Sequence, residues 1–225
     1  TADGVVGVHI ERVTFNNCNG SVGVLHKQCD NWIIRDCPLL RSAGTNPPIR
    51  TLSSGTRVLD CFFENRVSLG VQTYMQVEPS ADGLFAGGNF TACRNRFGGE
   101  QGKGPNAGFG PPPAMVTLGP DTEVAGTISR IRLVDNDFNT PQSTYNATVA
   151  VKVNKAINIS TVTGNIFSSG YRSILHYNNV LGVMATSNIR DNVWLNPVDS
   201  NNKVLVSAGR VDGKYSTLTK SPLQV

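Results

Sequence analysis

The sequence predicts an all-β chain built as a solenoid, and three observations carry that prediction. Helical periodicity is missing: no window keeps apolar residues at i, i+3, i+4 and i+7 over three turns, and 23 Gly with 12 Pro interrupt any such run. Short stretches alternate at period two instead, as in Val22-Gly-Val24-Leu25, Val149-Ala-Val151-Lys-Val153 and Val204-Leu-Val206, with Asn, Gly, Ser and Asp clusters between them. Finally, one short motif recurs: an apolar residue, two variable residues, then Cys or Asn.

The copies run in order Phe15-Asn-Asn-Cys18, Ile34-Arg-Asp-Cys37, Val58-Leu-Asp-Cys61, Phe90-Thr-Ala-Cys93, Leu133-Val-Asp-Asn136, Val162-Thr-Gly-Asn165 and Ile189-Arg-Asp-Asn192. In five of them a large apolar residue follows two positions later: Leu39, Phe63, Phe138, Phe167 and Trp194. An equal motif at unequal spacing means successive coils with loops of different length, the Cys/Asn position forming an interior column and the large residue a core row. Cys18, Cys37, Cys61 and Cys93 are therefore expected as a reduced stack of small buried side chains rather than as bridges, with Cys29 off the motif. Asp36, Asp60, Asp135 and Asp191 recur just before the column, which suits residues that fix turns through bonds to backbone. Between Cys93 and Asn136 the Gly- and Pro-rich stretch 98–113 forbids regular structure and reads as a long loop. Residues 1–225 read as a single domain. The tail after Lys214 shows no amphipathic helix to cap a stack, so the chain is expected to be part of a longer protein.

Across essentially its whole length this pattern resembles the right-handed parallel β-helix of the pectin-lyase-like superfamily, of the tailspike and polysaccharide-lyase type. The resemblance implies a right-handed parallel β-helix of about seven coils and an extracellular or virion-surface setting. It also implies a groove along one face of the rod for polysaccharide or cell-surface glycan, and assembly as a homotrimer or other oligomer.

Composition narrows the function classes. Charged residues make up only 16% of the chain against roughly 25% in an average domain. The net charge of +4 comes from scattered Lys and Arg without the clustered stripe of a nucleic-acid binder, so nucleic acid is not expected as a partner. No apolar stretch approaches the roughly 18 residues of a helical span, and no membrane partner is expected. His9, His26 and His176 fall in different repeats without ligand spacing, so neither metal nor other cofactor is expected.

Two chemistries fit a glycan groove. A lyase needs a cation to neutralise the uronate carboxylate and a base for the adjacent proton. A hydrolase needs two carboxylates, about 5–5.5 Å apart for retention or about 6.5–9.5 Å for inversion. For the first, Lys152 is expected on the outward side of its alternating strand, and Arg172, His176 and Tyr177 lie one repeat further on. For the second, Glu78 with Asp82, Asp135 with Asp137, and Glu11 near His9 are the carboxylate candidates. Glu100, Lys103 and Phe109 in the long loop, with an exposed Tyr74, are the expected substrate contacts. Signatures of polygalacturonases and alginate epimerases are missing, which leaves three alternatives open: a glycan-binding and glycan-cleaving β-helix, a non-catalytic structural or adhesive one in a fibre, appendage or surface layer, or a pollen-allergen-like or otherwise unassigned one.

Overall fold

The computed structural model describes residues 6–18, 22–25, 30–42, 46–52, 54–64, 73–78, 87–98, 114–119, 128–138, 148–154, 160–167, 171–177, 187–194 and 204–208; side chains are described for most but not all of these. Among the described residues there is no helix; every regular element is a strand.

Three parallel sheets of seven strands each dominate. Sheet I takes His9–Glu11, Ile33–Arg35, Arg57–Leu59, Thr91–Cys93, Ile131–Val134, Ser160–Thr163 and Ser187–Arg190. Sheet II takes Thr14–Cys18, Leu39–Ser42, Phe62–Phe63, Arg96–Phe97, Asp137–Phe138, Ile166–Phe167 and Val193–Trp194. Sheet III takes Val22–Leu25, Ile49–Thr51, Met75–Val77, Ala114–Leu118, Thr148–Val153, Tyr171–Tyr177 and Val204–Ala208. Each sheet adds its strands in chain order, and the chain visits I, II and III in turn before returning to I. Gly87–Gly88 and Ile128–Ser129 pair separately.

The strands are short because backbone corners bracket them. At the trailing end of sheet I, Arg12, Asp36, Asp60, Arg94, Asp135 and Asp191 all have φ between 52° and 56°, and Gly164 has φ 66°. This left-handed conformation is tolerated by Asp, whose carboxylate can bond locally, and is open to Gly. The recurrent aspartates are thus turn residues. Gly164 is also pressed from above, since a Cβ there would sit 2.1 Å from Asp135 Oδ1.

Registration through these corners corrects the expected column. Val58 pairs with Ala92 and Ala92 with Leu133, so the fourth copy of the motif is Ala92-Cys93-Arg94-Asn95, two residues later than the sequence pattern placed it. Asn95 is buried in the column, whereas Cys93 faces outward and is partly exposed. Ile10 pairs with Ile34, which aligns Val13 rather than Cys18 with Cys37; Cys18 pairs with Ser42 in sheet II. The large residue after Cys37 is Leu40, the partner of Phe63, and not Leu39, because Pro38 inserts one residue there. Cys37, Cys61 and Cys93 are free thiols; Cys29 lies outside the described residues.

The main core is a continuous cluster drawing on all three sheets, with Trp32 packed separately against Val8 and Ile10. Phe63, Phe97, Phe138 and Phe167 stack in neighbouring passes at centroid distances of 5.1, 4.6 and 4.9 Å with interplanar angles of 18°, 9° and 7°. Offset stacks of this kind add to the area they bury. Beside them runs an amide ladder. Asn136 Oδ1 accepts the backbone N–H (3.0 Å) and the Nδ2 (3.1 Å) of Asn95, while its own Nδ2 donates to the Ala92 carbonyl (3.0 Å) and to Asn165 Oδ1 (2.9 Å). Asn165 repeats the pattern toward Asn192, and Asn95 Oδ1 accepts the Cys61 backbone N–H at 3.0 Å. Asn95, Asn136 and Asn165 are therefore satisfied by the passes on both sides, and Asn192, at the end of the ladder, by the pass before it.

Candidate functional site

Sheet I is the surface that its own alternation builds. Ile34, Val58, Ala92, Leu133 and Val162 point into the core and are buried, so the residues on either side of each must face outward. One outward row reads Arg57, Thr91, Arg132, Thr161 in adjacent strands, in register. The leading corner of the same sheet contributes Asn31, Asn89 and Arg130, at φ 59°, 46° and 54°, and Gly55 at φ 83°. Glycine suits this corner at position 55, where φ is positive and a Cβ would press on Asn31 Oδ1 at 2.6 Å and on the Asn31 backbone N at 3.1 Å. Asn89 Nδ2 donates to Ser54 Oγ at 2.8 Å, and the Ser54 N–H reaches Asp30 Oδ1 at 3.3 Å, which ties the corner together.

These residues border a shallow depression of about 900 Å³ on the outer face of sheet I. Among the described residues, four guanidinium groups line it, those of Arg57, Arg94, Arg130 and Arg132, against one carboxylate, that of Asp30. Arg94 is occupied: its Nε and Nη2 donate to Asp60 Oδ1 and Oδ2, both at 2.7 Å. Arg57, Arg130 and Arg132 make no ion pair with any described residue. Arginine does not lose its proton in proteins, so the depression carries excess positive charge at any ordinary pH. Planar guanidinium groups of this kind hold carboxylate, sulfate or phosphate through paired N–H···O bonds.

The expected lyase residues lie on sheet III. Lys152 and His176 are direct Cα partners in adjacent strands, so the register does bring them one strand apart. Tyr177 pairs with Val153, in the row of Val77 and Leu118, whose side chains are buried. Arg172 falls at the register shift opposite Thr148 and Val149. Side chains of 171–177 lie outside the described residues, as do Glu100, Lys103 and Phe109.

Tyr74 requires correction. It was expected on the surface but is fully buried, packed on Phe63 and Phe97, and its hydroxyl donates to the Gly98 carbonyl at 2.6 Å. A tyrosine inside the stack finds a polar partner in backbone and has no face left for a sugar.

The carboxylate candidates are mostly engaged. Glu78 is buried and paired with Arg50 at 3.1 Å; Asp82 lies outside the described residues. Glu11 accepts from Arg35 at 2.8 Å, and that hydrogen bond holds its carboxyl below the usual range. Asp137 is pushed up by burial, opposed by Arg96 at 3.8 Å. Among the described residues no cluster of His, Cys, Asp or Glu has the arrangement of a metal site.

Sequence reasoning passed over the arginine row, yet a signal for it exists. Arg57, Thr91, Arg132 and Thr161 each stand four residues before the column positions Cys61, Asn95, Asn136 and Asn165. No protein-family model, curated protein or solved structure matches the chain.

Proposed function

We propose that this chain is a right-handed parallel β-helix of the pectin-lyase-like kind, and that it binds an extended acidic polysaccharide along the outer face of sheet I. The solenoid reading draws support from three parallel sheets that each grow in chain order, and its hand from the rule that parallel crossovers are right-handed in about 98% of cases. The single observation that carries the function is the row of arginines without ion-pair partners among the described residues, set in a depression that runs across several strands. An extended glycan advances about one strand spacing per sugar, so a polymer lying across the strands meets a fresh outward position at each step. Its anionic groups compensate the guanidinium charge, and the flanking Thr, Ser and Asn offer hydroxyl and amide partners. This reading places the protein outside the cell or on a virion surface, where such polymers are met.

Cleavage forms the second half of the reading and belongs to a site separate from the sheet I depression: it rests on Lys152 and His176, neighbours in register on sheet III. The two halves separate in one experiment. Affinity electrophoresis through gels containing acidic polysaccharides should show retardation of the wild type that Arg57→Ala with Arg132→Ala abolishes. Ultraviolet absorbance of unsaturated uronate, and reducing-end release, should appear with wild type and vanish with Lys152→Ala plus His176→Ala. Normal retardation of the double arginine variant would sink the sheet I assignment.

A further inference from the structure

We infer that the sheet I face reads charge on alternate sugars, so that its ligand is a polysaccharide with one anionic group per disaccharide rather than one on every sugar. The inference rests on the reading of sheet I as the glycan face. In the outward row, Arg57 and Arg132 are separated by Thr91, and Thr161 follows Arg132. The two guanidinium-bearing positions are thus two strand spacings apart, roughly 9–10 Å.

The neighbouring charges do not fill the gap. Arg94 belongs to the same pass as Thr91, but both arms of its guanidinium are held by Asp60 at 2.7 Å. Arg130 belongs to the same pass as Arg132 and reinforces that level. Across these four levels the second outward row, Leu59, Cys93, Val134 and Thr163, is uncharged; Arg35, which precedes it, is paired with Glu11. Cation, neutral hydroxyl, cation, neutral hydroxyl is the sequence of levels met along the face. A sugar chain advancing one level per residue places every one of its anions on a cation only when alternate sugars carry them. A chain charged at every sugar would set a carboxylate opposite Thr91, where no described residue supplies a free cation.

The test uses the full chain and three probes: hyaluronan, with one carboxylate per disaccharide, polygalacturonate, with one per sugar, and uncharged dextran. Isothermal titration at matched chain length should give hyaluronan the tightest binding, about tenfold over polygalacturonate, with dextran inert. Arg57→Ala and Arg132→Ala should each weaken hyaluronan about tenfold, whereas Arg190→Ala, on sheet I but outside the depression, should leave it unchanged. Thermal unfolding of each variant, expected near wild type for these exposed side chains, confirms that the fold is intact. Thr91→Arg supplies the missing level and should shift preference toward polygalacturonate. Equal or tighter binding of polygalacturonate by wild type, with no change in the ratio on Thr91→Arg, would overturn the alternate-charge inference while leaving an anion-binding face. Failure of both acidic probes, or binding indifferent to Arg57 and Arg132, would overturn the glycan face and this inference with it.

Discussion

The interior column is built differently in its two halves. In one half, Cys37 and Cys61 occupy the position with thiols; in the other, Asn95, Asn136, Asn165 and Asn192 occupy it with amides. The thiol half is held by weak bonds, Cys61 Sγ donating to the Leu59 carbonyl at 3.1 Å and Cys37 Sγ to the Arg35 carbonyl at 3.4 Å. The amide half is a continuous chain of strong ones, each Asn tied to backbone in the neighbouring passes. The same place in the fold can therefore be filled either by a small apolar group that asks for little or by a polar group that must be completely satisfied. Only the second makes its neighbours depend on it.

Breaking the amide half should produce the largest effect. Asn136→Ala removes the acceptor for the Asn95 backbone N–H and the donor to the Ala92 carbonyl. Two buried backbone groups left without partners cost about 4 kcal/mol together, measurable as a lower urea midpoint at unchanged slope. An alkaline titration probes the thiol half. Burial pushes the Cys61 thiol up to about 12, against a hydrogen bond from the Cys37 backbone that lowers it. A thiol whose folded value is raised contributes stability that is complete below the ordinary thiol range and is lost as pH climbs toward about 12, because the unfolded chain ionises first. Denaturant midpoints taken at rising alkaline pH should fall faster for wild type than for Cys61→Ala; parallel curves would show that the thiol is solvated.

At neutral pH, Cys61→Ala should itself cost only about 1 kcal/mol, since it deletes one small buried group and strands no strong donor or acceptor. The smallest change is expected from Cys61→Asn. Its Oδ1 would take the Cys37 N–H and its Nδ2 the Ile34 carbonyl, which Cys61 Sγ now reaches at 3.8 Å, so the ladder would lengthen by one rung within about 1 kcal/mol of wild type. A loss as large as that of Asn136→Ala would mean that the two halves differ in room and not merely in bonding.

How far the fold was legible follows from the same column. Where an Asp or Gly corner precedes Asn and a Phe follows two residues later, as at Asn136 and Asn165, the pattern states both the backbone conformation and the core row, and it was read in register. At the fourth copy the corner residue is Arg94, which gives no turn signal, and Cys93 drew the motif two residues early. The Asn95-Arg96-Phe97 spacing, identical to Asn136-Asp137-Phe138, was the available clue. Pro38 shifted Leu40 in the same way, because an inserted residue changes the side a strand presents without changing composition. The candidate site was less legible still. Arg57 and Arg132 are 75 residues apart in the chain and become near neighbours only through register. Tyr74 looked like a surface ring because the stack that covers it is assembled from other passes.

The order in which strands join the sheets also has a mechanical consequence. All three sheets add strands in chain order, so the ladder bonds between passes lie along the line from the first pass to the last. A force applied between the first and last passes would load the outermost strands of the three sheets and part their bonds one pass at a time, as a zipper opens, instead of shearing many at once. The rupture record should be a train of small steps, with higher steps where an Asn bridges two passes and lower ones at the thiols. Such a molecule would yield gradually under tension and re-form from whatever passes remain.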